Sequence, residues 1–190
     1  MLRIDGSACI AAAILLLVLP LNWLVAAATA ALVHELFHVV SLYLLGGRVL
    51  SFAVGIRGAV LETSDMPPLR ELLCAAAGPA GSLMLLLLHR VMPLTALCAG
   101  VQAVFNLMPV YPLDGGRMLR CGMQLLLPPE LADKMAQRTE FAVVVMLAAA
   151  AIVFSIRYGL GILPVIAAGN LAMRRVFRKI PCKQRRIGVQ

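Results

Sequence analysis

Ala26 to Leu45 reads AAATAALVHELFHVVSLYLL, and this stretch decides the fold. It is apolar throughout except at Thr29, His34, Glu35, His38 and Ser41. A run of this length and composition is long enough to cross a bilayer as a helix. On a helix, positions i and i+4 share a face, so the imidazoles of His34 and His38 can reach one metal ion. Glu35 follows His34 directly and can sit beside a metal-activated water as general base. An ionisable residue midway along an apolar helix is costly, which makes it a functional-site candidate. The alternative is a buried His/Glu hydrogen-bond cluster without a metal.

The rest of the chain agrees with a membrane setting. Of its 190 residues, 62% are apolar and only 14% charged, against about 25% charged in ordinary proteins. Mean hydropathy is +0.93. No room is left for a large soluble domain. Six membrane segments are expected: about 7–19 (ending at Pro20), 21–45 (capped by Gly46-Gly47), 69–88, 93–107, 139–156 and 160–173. Several are shorter than the ~20 residues of a full crossing. The apolar start, followed by Ala26-Ala27-Ala28, resembles a signal peptide, but its apolarity continues past the usual length and a retained helix is expected.

Residues 48–64 depart from this pattern. Val49, Leu50, Phe52, Val54 and Ile56 are strand formers, and Gly55 and Gly58 bracket a turn, which predicts a β-hairpin at the cytosolic membrane edge. A loop with apolar side chains is the other reading. The expected fold class is therefore an all-α polytopic membrane protein of about six helices with a short hairpin. Its membrane domain covers 1–173 and a basic cytosolic tail covers 174–190.

Net charge is +8, and its placement matters more than its size. Arg174, Arg175, Arg178, Lys179, Lys183, Arg185 and Arg186 crowd the tail. Six segments put both termini on one side, and the positive-inside rule makes that side the cytosol. On this topology only Arg90 and Arg157 face outward. No basic folded face is visible, so nucleic acid is not an expected partner. The five cysteines are scattered without a CxxC pair, which excludes a disulfide framework and a cysteine metal site.

A catalytic zinc site usually takes three protein ligands. His89, the third histidine, sits beside Arg90 at the end of a segment and reads as an interfacial residue. Asp114 is the better candidate. It closes Asn106-Leu107-Met108-Pro109-Val110-Tyr111-Pro112-Leu113-Asp114-Gly115-Gly116-Arg117, in which two prolines break the helix. Irregular backbone at membrane depth is tolerated where it is buried or lines a wet cavity. The competing reading of Asp114 is an N-cap for the helix entered at Gly115.

HELFH at 34–38 together with NLMPVYPLDGG at 106–116 resembles the site-2 proteases, the intramembrane zinc metalloproteases. The second motif is most similar to the bacterial branch typified by the stage IV sporulation protease FB. The likeness runs over about residues 7–173. It implies one zinc per chain held by His34, His38 and Asp114, with Glu35 as the catalytic glutamate. Asn106 matches an asparagine thought to hold substrate or the oxyanion; a polar cap at the Pro109 break is the other reading. The implied activity is hydrolysis of peptide bonds within or next to transmembrane segments of a membrane protein substrate. The implied setting is the lipid bilayer of the cell membrane, with the active site nearer the cytosolic side. Regulatory membrane proteins or a second copy of the chain are further implied partners.

The third segment carries Gly78-Pro79-Ala80-Gly81-Ser82 where relatives often have GPxxN. Ser82 thus replaces an asparagine, and close packing through small residues is the expected role of this stretch. No stretch resembles the PDZ or CBS domains of many relatives, so regulation by those modules is not expected. A membrane metal transporter or metal-binding protein is the alternative function. It leaves Glu35 beside His34 unexplained, and it calls for polar residues along a path across the membrane, of which few are seen. An inactive relative that binds substrates is a third reading, opposed by the intact motifs.

Overall fold

The computed structural model describes residues 2–4, 19–55, 58–63 and 66–158. The chain forms two compact units, 1–140 and 141–190. Eight elements are described: β1 (Leu2–Ile4), α1 (Leu21–Leu44), β2 (Val49–Gly55), β3 (Gly58–Thr63), α2 (Pro68–Leu86), α3 (Pro93–Asn106), α4 (Asp114–Leu126) and α5 (Pro129–Tyr158). The first unit holds everything up to Glu140, including the opening turns of α5. In the second unit, 141–158 continue that helix.

Helix α1 starts after Pro20, whose carbonyl accepts from the Trp23 and Leu24 amides. It stops where Gly46 adopts a φ of 77°, a left-handed turn that a side chain disfavours. There the Gly47 amide reaches back to the Leu42 carbonyl at 2.9 Å, so the last turn closes on itself. The buried residues of α1 are Ala26, Ala30, His34, His38 and Leu42. This stripe at intervals of four lies on a single helix face, and the two histidines sit in its middle. The opposite face stays apolar and uncovered, with Leu32 70% exposed.

Helix α2 is the hub of the first unit and packs on α1, α3 and α4, while α1 also packs on α3. Its buried face is made of Cys74, Ala75, Gly78, Pro79, Gly81 and Ser82. Helix α3 buries Thr95, Ala96, Ala99 and Ala103. Side chains this small let helix backbones approach closely, as in membrane bundles.

Two expectations about the fold are corrected. First, six membrane helices are not found among the described residues. Among the described residues there are five helices, and three are long and apolar enough to cross a membrane: Leu21–Leu44, Pro68–Leu86 and Pro129–Arg157. The expected fourth segment does form, as α3, but its 14 residues span about 21 Å at 1.5 Å per residue, short of the ~30 Å hydrocarbon core. Helix α4 (Asp114–Leu126) is not one of the expected membrane segments; it corresponds to the helix entered at Gly115. The expected fifth segment begins ten residues early, because Pro129 suits a first helical position and charged residues such as Asp133 and Lys134 form helix without being apolar. The expected segments at 160–173 and, but for Leu19, at 7–19 lie outside the described residues, as does the basic tail.

Second, the fold is not all-α with a lone hairpin. β2 and β3 pair antiparallel, with Phe52 opposite Leu61 and a register shift between Val49 and Ser51. They belong to a three-stranded sheet of order β1-β2-β3, in which β1 runs parallel to β2 and sets Arg3 against Ala53. A strand of three residues carries too little alternation to be read from sequence. The parallel partner also comes from residues that precede the first expected helix and to which no element was assigned.

Candidate metal centre

The centre is built from two different kinds of backbone. His34 and His38 come from the middle of regular α1. Asp114 comes from the end of an irregular loop and is the first residue of α4. The structure brings the three together. His34 Nε2 and His38 Nε2 lie 3.3 Å apart, and Asp114 Oδ2 is 3.1 Å from each. All three residues are buried, and their ligand atoms could hold a metal ion.

The donor chemistry tests this. His38 Nδ1 donates to the Cys74 carbonyl at 2.8 Å. A carbonyl can only accept, so the proton of a neutral His38 sits on Nδ1 and Nε2 presents a lone pair. His34 Nδ1 lies 2.9 Å from Ser82 Oγ, and donation there leaves His34 Nε2 unprotonated as well, with the Asn106 amide nitrogen 3.2 Å from it. Two imidazole lone pairs and a carboxylate oxygen then face one another in a dry site, which calls for a cation among them. Four ligands set about 2.0–2.1 Å from an ion in a tetrahedron are about 3.3 Å from one another. The observed 3.1–3.3 Å triangle matches one face of that tetrahedron. The residues fit a zinc ion.

The supporting shell is specific. A ligating histidine is oriented by the partner of its other nitrogen, here a backbone carbonyl and a serine hydroxyl. Ser82 is fully buried. The sequence reading assigned its stretch to packing, and the contact with His34 adds a polar role. The sequence hints at it only through the asparagine that relatives often carry there, because the contact depends on how α2 is turned toward α1. Gly78 lies under the His38 ring, and a Cβ there would collide with it.

Glu35 is half-buried and lies within electrostatic range of His38, His34, Asp114 and Arg117. Asn106 ends α3, and its Nδ2 lies 3.2 Å from His34 Nε2. The residue that caps α3 is Leu107, so Asn106 faces the centre rather than the break. The N-cap position of α4 is Leu113, with no side-chain capping bond. Asp114 is therefore turned to the imidazoles and not to its own helix end. His89 bonds the Leu86 carbonyl at an exposed position and is not part of the cluster.

Helix α4 is tied at its sides. Arg120 grips Asp133 with bonds of 2.8 and 3.0 Å. Arg117 lies 3.7 Å from Glu71. Burial, and then the charge of Glu71, push the Cys121 thiol up to about 12.

No protein-family profile matches the chain, and no curated protein matches it. Among solved structures, it is similar in fold to the "Site-2 Protease from Methanocaldococcus jannaschii". The TM-score is 0.60 and the identity 18%, with 94% of this chain and 91% of that chain covered.

Proposed function

We propose that this chain is an intramembrane zinc metalloprotease that cleaves peptide bonds within or next to transmembrane segments of membrane proteins. The observation that carries the reading is the triangle of His34 Nε2, His38 Nε2 and Asp114 Oδ2 with Glu35 next to it on α1. The fold likeness to a site-2 protease supports it. So do three helices apolar enough to cross a membrane, whose uncovered apolar faces suit a hydrocarbon surround. The likeness of residues 106–116 to the sporulation branch of that family is a finer part of the same proposal.

His34, His38 and Asp114 would hold one zinc per chain. When bound, the ion supplies Lewis-acid activation of the scissile carbonyl and of water. Glu35 takes the proton of the attacking water and passes it to the leaving amine. Asn106 stands where its amide can donate to substrate. The exposed apolar surfaces of α1 and α3 give a membrane helix a route to the centre. The substrate must unwind locally, since its carbonyls are otherwise engaged in helical hydrogen bonds. The β3 edge of the sheet would receive the unwound segment by strand addition. In this reading the basic tail lies in the cytosol and the centre nearer that side.

The test is cleavage of a panel of single-span substrates by the protein reconstituted in membranes, with and without chelator. Cleavage that stops with chelator and returns with zinc is the expected result. Chelator-sensitive ion flux without cleavage of any substrate would favour the transporter instead.

A further inference from the structure

Glu140 is a buried carboxylate that the proposed chemistry does not use. It lies in the first turns of α5, only 3% exposed. Taking a carboxylate out of water is costly unless hydrogen bonds compensate. Its Oε1 accepts from the Tyr111 backbone amide at 3.0 Å, a charge-assisted bond of the stronger kind.

What that amide belongs to gives the contact its meaning. Tyr111 is the middle residue of the 109–113 loop that delivers Asp114. Pro109 and Pro112 have no N–H to give. The other amides of this stretch turn inward: Met108 to the Phe105 carbonyl, Val110 to Met108, and Leu113 to Val110. The Tyr111 amide instead reaches across to another helix. The loop also packs directly on α4, since a Cβ on Gly116 would strike the Tyr111 and Val110 backbone. Tyr111 is three residues from Asp114, and the first turn of α4 rests on it.

We propose that Glu140 is a positioning residue for the metal centre: through the Tyr111 amide it fixes the 109–113 loop, and so the place where Asp114 meets His34 and His38. This rests on the metal-site reading above. His34 and His38 get their geometry from the middle of a continuous helix, whereas Asp114 stands at the very start of α4, next to the loop that Glu140 of α5 holds.

The experiment is Co²⁺ binding by the purified full-length chain in detergent, read by affinity and by the visible absorption of the bound ion, which reports its ligand geometry. Glu140→Ala should weaken Co²⁺ binding up to about 10-fold, the low end of the range for partners that touch a ligand directly, and should alter the spectrum. Glu140→Gln keeps an acceptor oxygen at the same reach and should restore most of the affinity and the wild-type spectrum. Asp133→Ala removes the Arg120 clamp without touching the loop and controls for plain destabilisation. If Glu140→Ala does not fold, Glu140→Asp decides. It keeps the charge but shortens the reach, so it should bind more weakly than Glu140→Gln.

Wild-type affinity and spectrum in Glu140→Ala would overturn the proposal. So would an equal loss in Asp133→Ala at matched stability, or Glu140→Asp binding better than Glu140→Gln. His38→Ala separates the two levels. If it retains Co²⁺, the metal-site reading itself fails; if it loses Co²⁺ while Glu140→Ala does not, only the role of Glu140 fails.

Discussion

The centre has a rigid half and a built half. In α1 the two histidines sit within a 24-residue helix, four positions apart on a stripe of buried residues, and helix geometry alone aligns them. Asp114 arrives from a loop with two prolines, and its place depends on contacts from several elements. A helix can carry ligands in register by its own hydrogen bonds. A loop needs outside anchors, and the Tyr111–Glu140 bond at 3.0 Å is one of these.

The largest expected effects strike the ligands themselves. His34→Ala, His38→Ala and Asp114→Ala should each lower zinc content well below one per chain and abolish proteolysis, as measured by metal analysis of the purified protein and by substrate cleavage. Full zinc and full activity in Asp114→Ala would break the comparison outright, because the loop half would then not belong to the centre. Gly78→Leu comes next. Its side chain would occupy the space of the His38 ring, so zinc content should fall although no ligand has been changed.

Ser82→Ala acts on the rigid half from outside. It removes the partner of His34 Nδ1 and should weaken zinc binding about 10- to 100-fold, measured by competition with a chelator of known affinity. Unchanged affinity would mean that α1 holds His34 without help. The smallest effect concerns α4. The Cys121 thiol, pushed up to about 12, stays protonated at neutral pH. Maleimide should leave it unlabelled at pH 7 in the folded protein and label it after denaturation.

How legible each part was follows the same division. HELFH stands out in sequence because helical spacing turns residue order into shared direction, and because polar residues in an apolar run are conspicuous. Asp114 was legible through the prolines and glycines around it. Asn106 came only from the family resemblance. Ser82 and Glu140 were hidden, because each matters through the partner it meets across the bundle. Ser82 reads as one more small residue in a packing stretch, and Glu140 falls at the start of the expected 139–156 segment with nothing to single it out.

At the level of fold, apolarity located the long helices, but among the described residues three, not six, are long and apolar enough to cross a membrane. Helix α4 has glycines and arginines among its apolar residues and escaped a search for membrane segments. Helix α3 was found but is too short to be one. β1 is three residues long, below the length at which alternation can be seen.

The central claim is that this centre performs proteolysis with Glu35 as its base. The direct measurement is cleavage of one membrane substrate by wild type and by Glu35→Gln, with zinc determined on the same samples. Glu35→Gln keeps the size of the side chain and leaves all three proposed ligands in place. Full zinc is expected, with a rate lower by about 100- to 10,000-fold, the range for loss of general-base catalysis. Near-normal cleavage by zinc-loaded Glu35→Gln would contradict that claim.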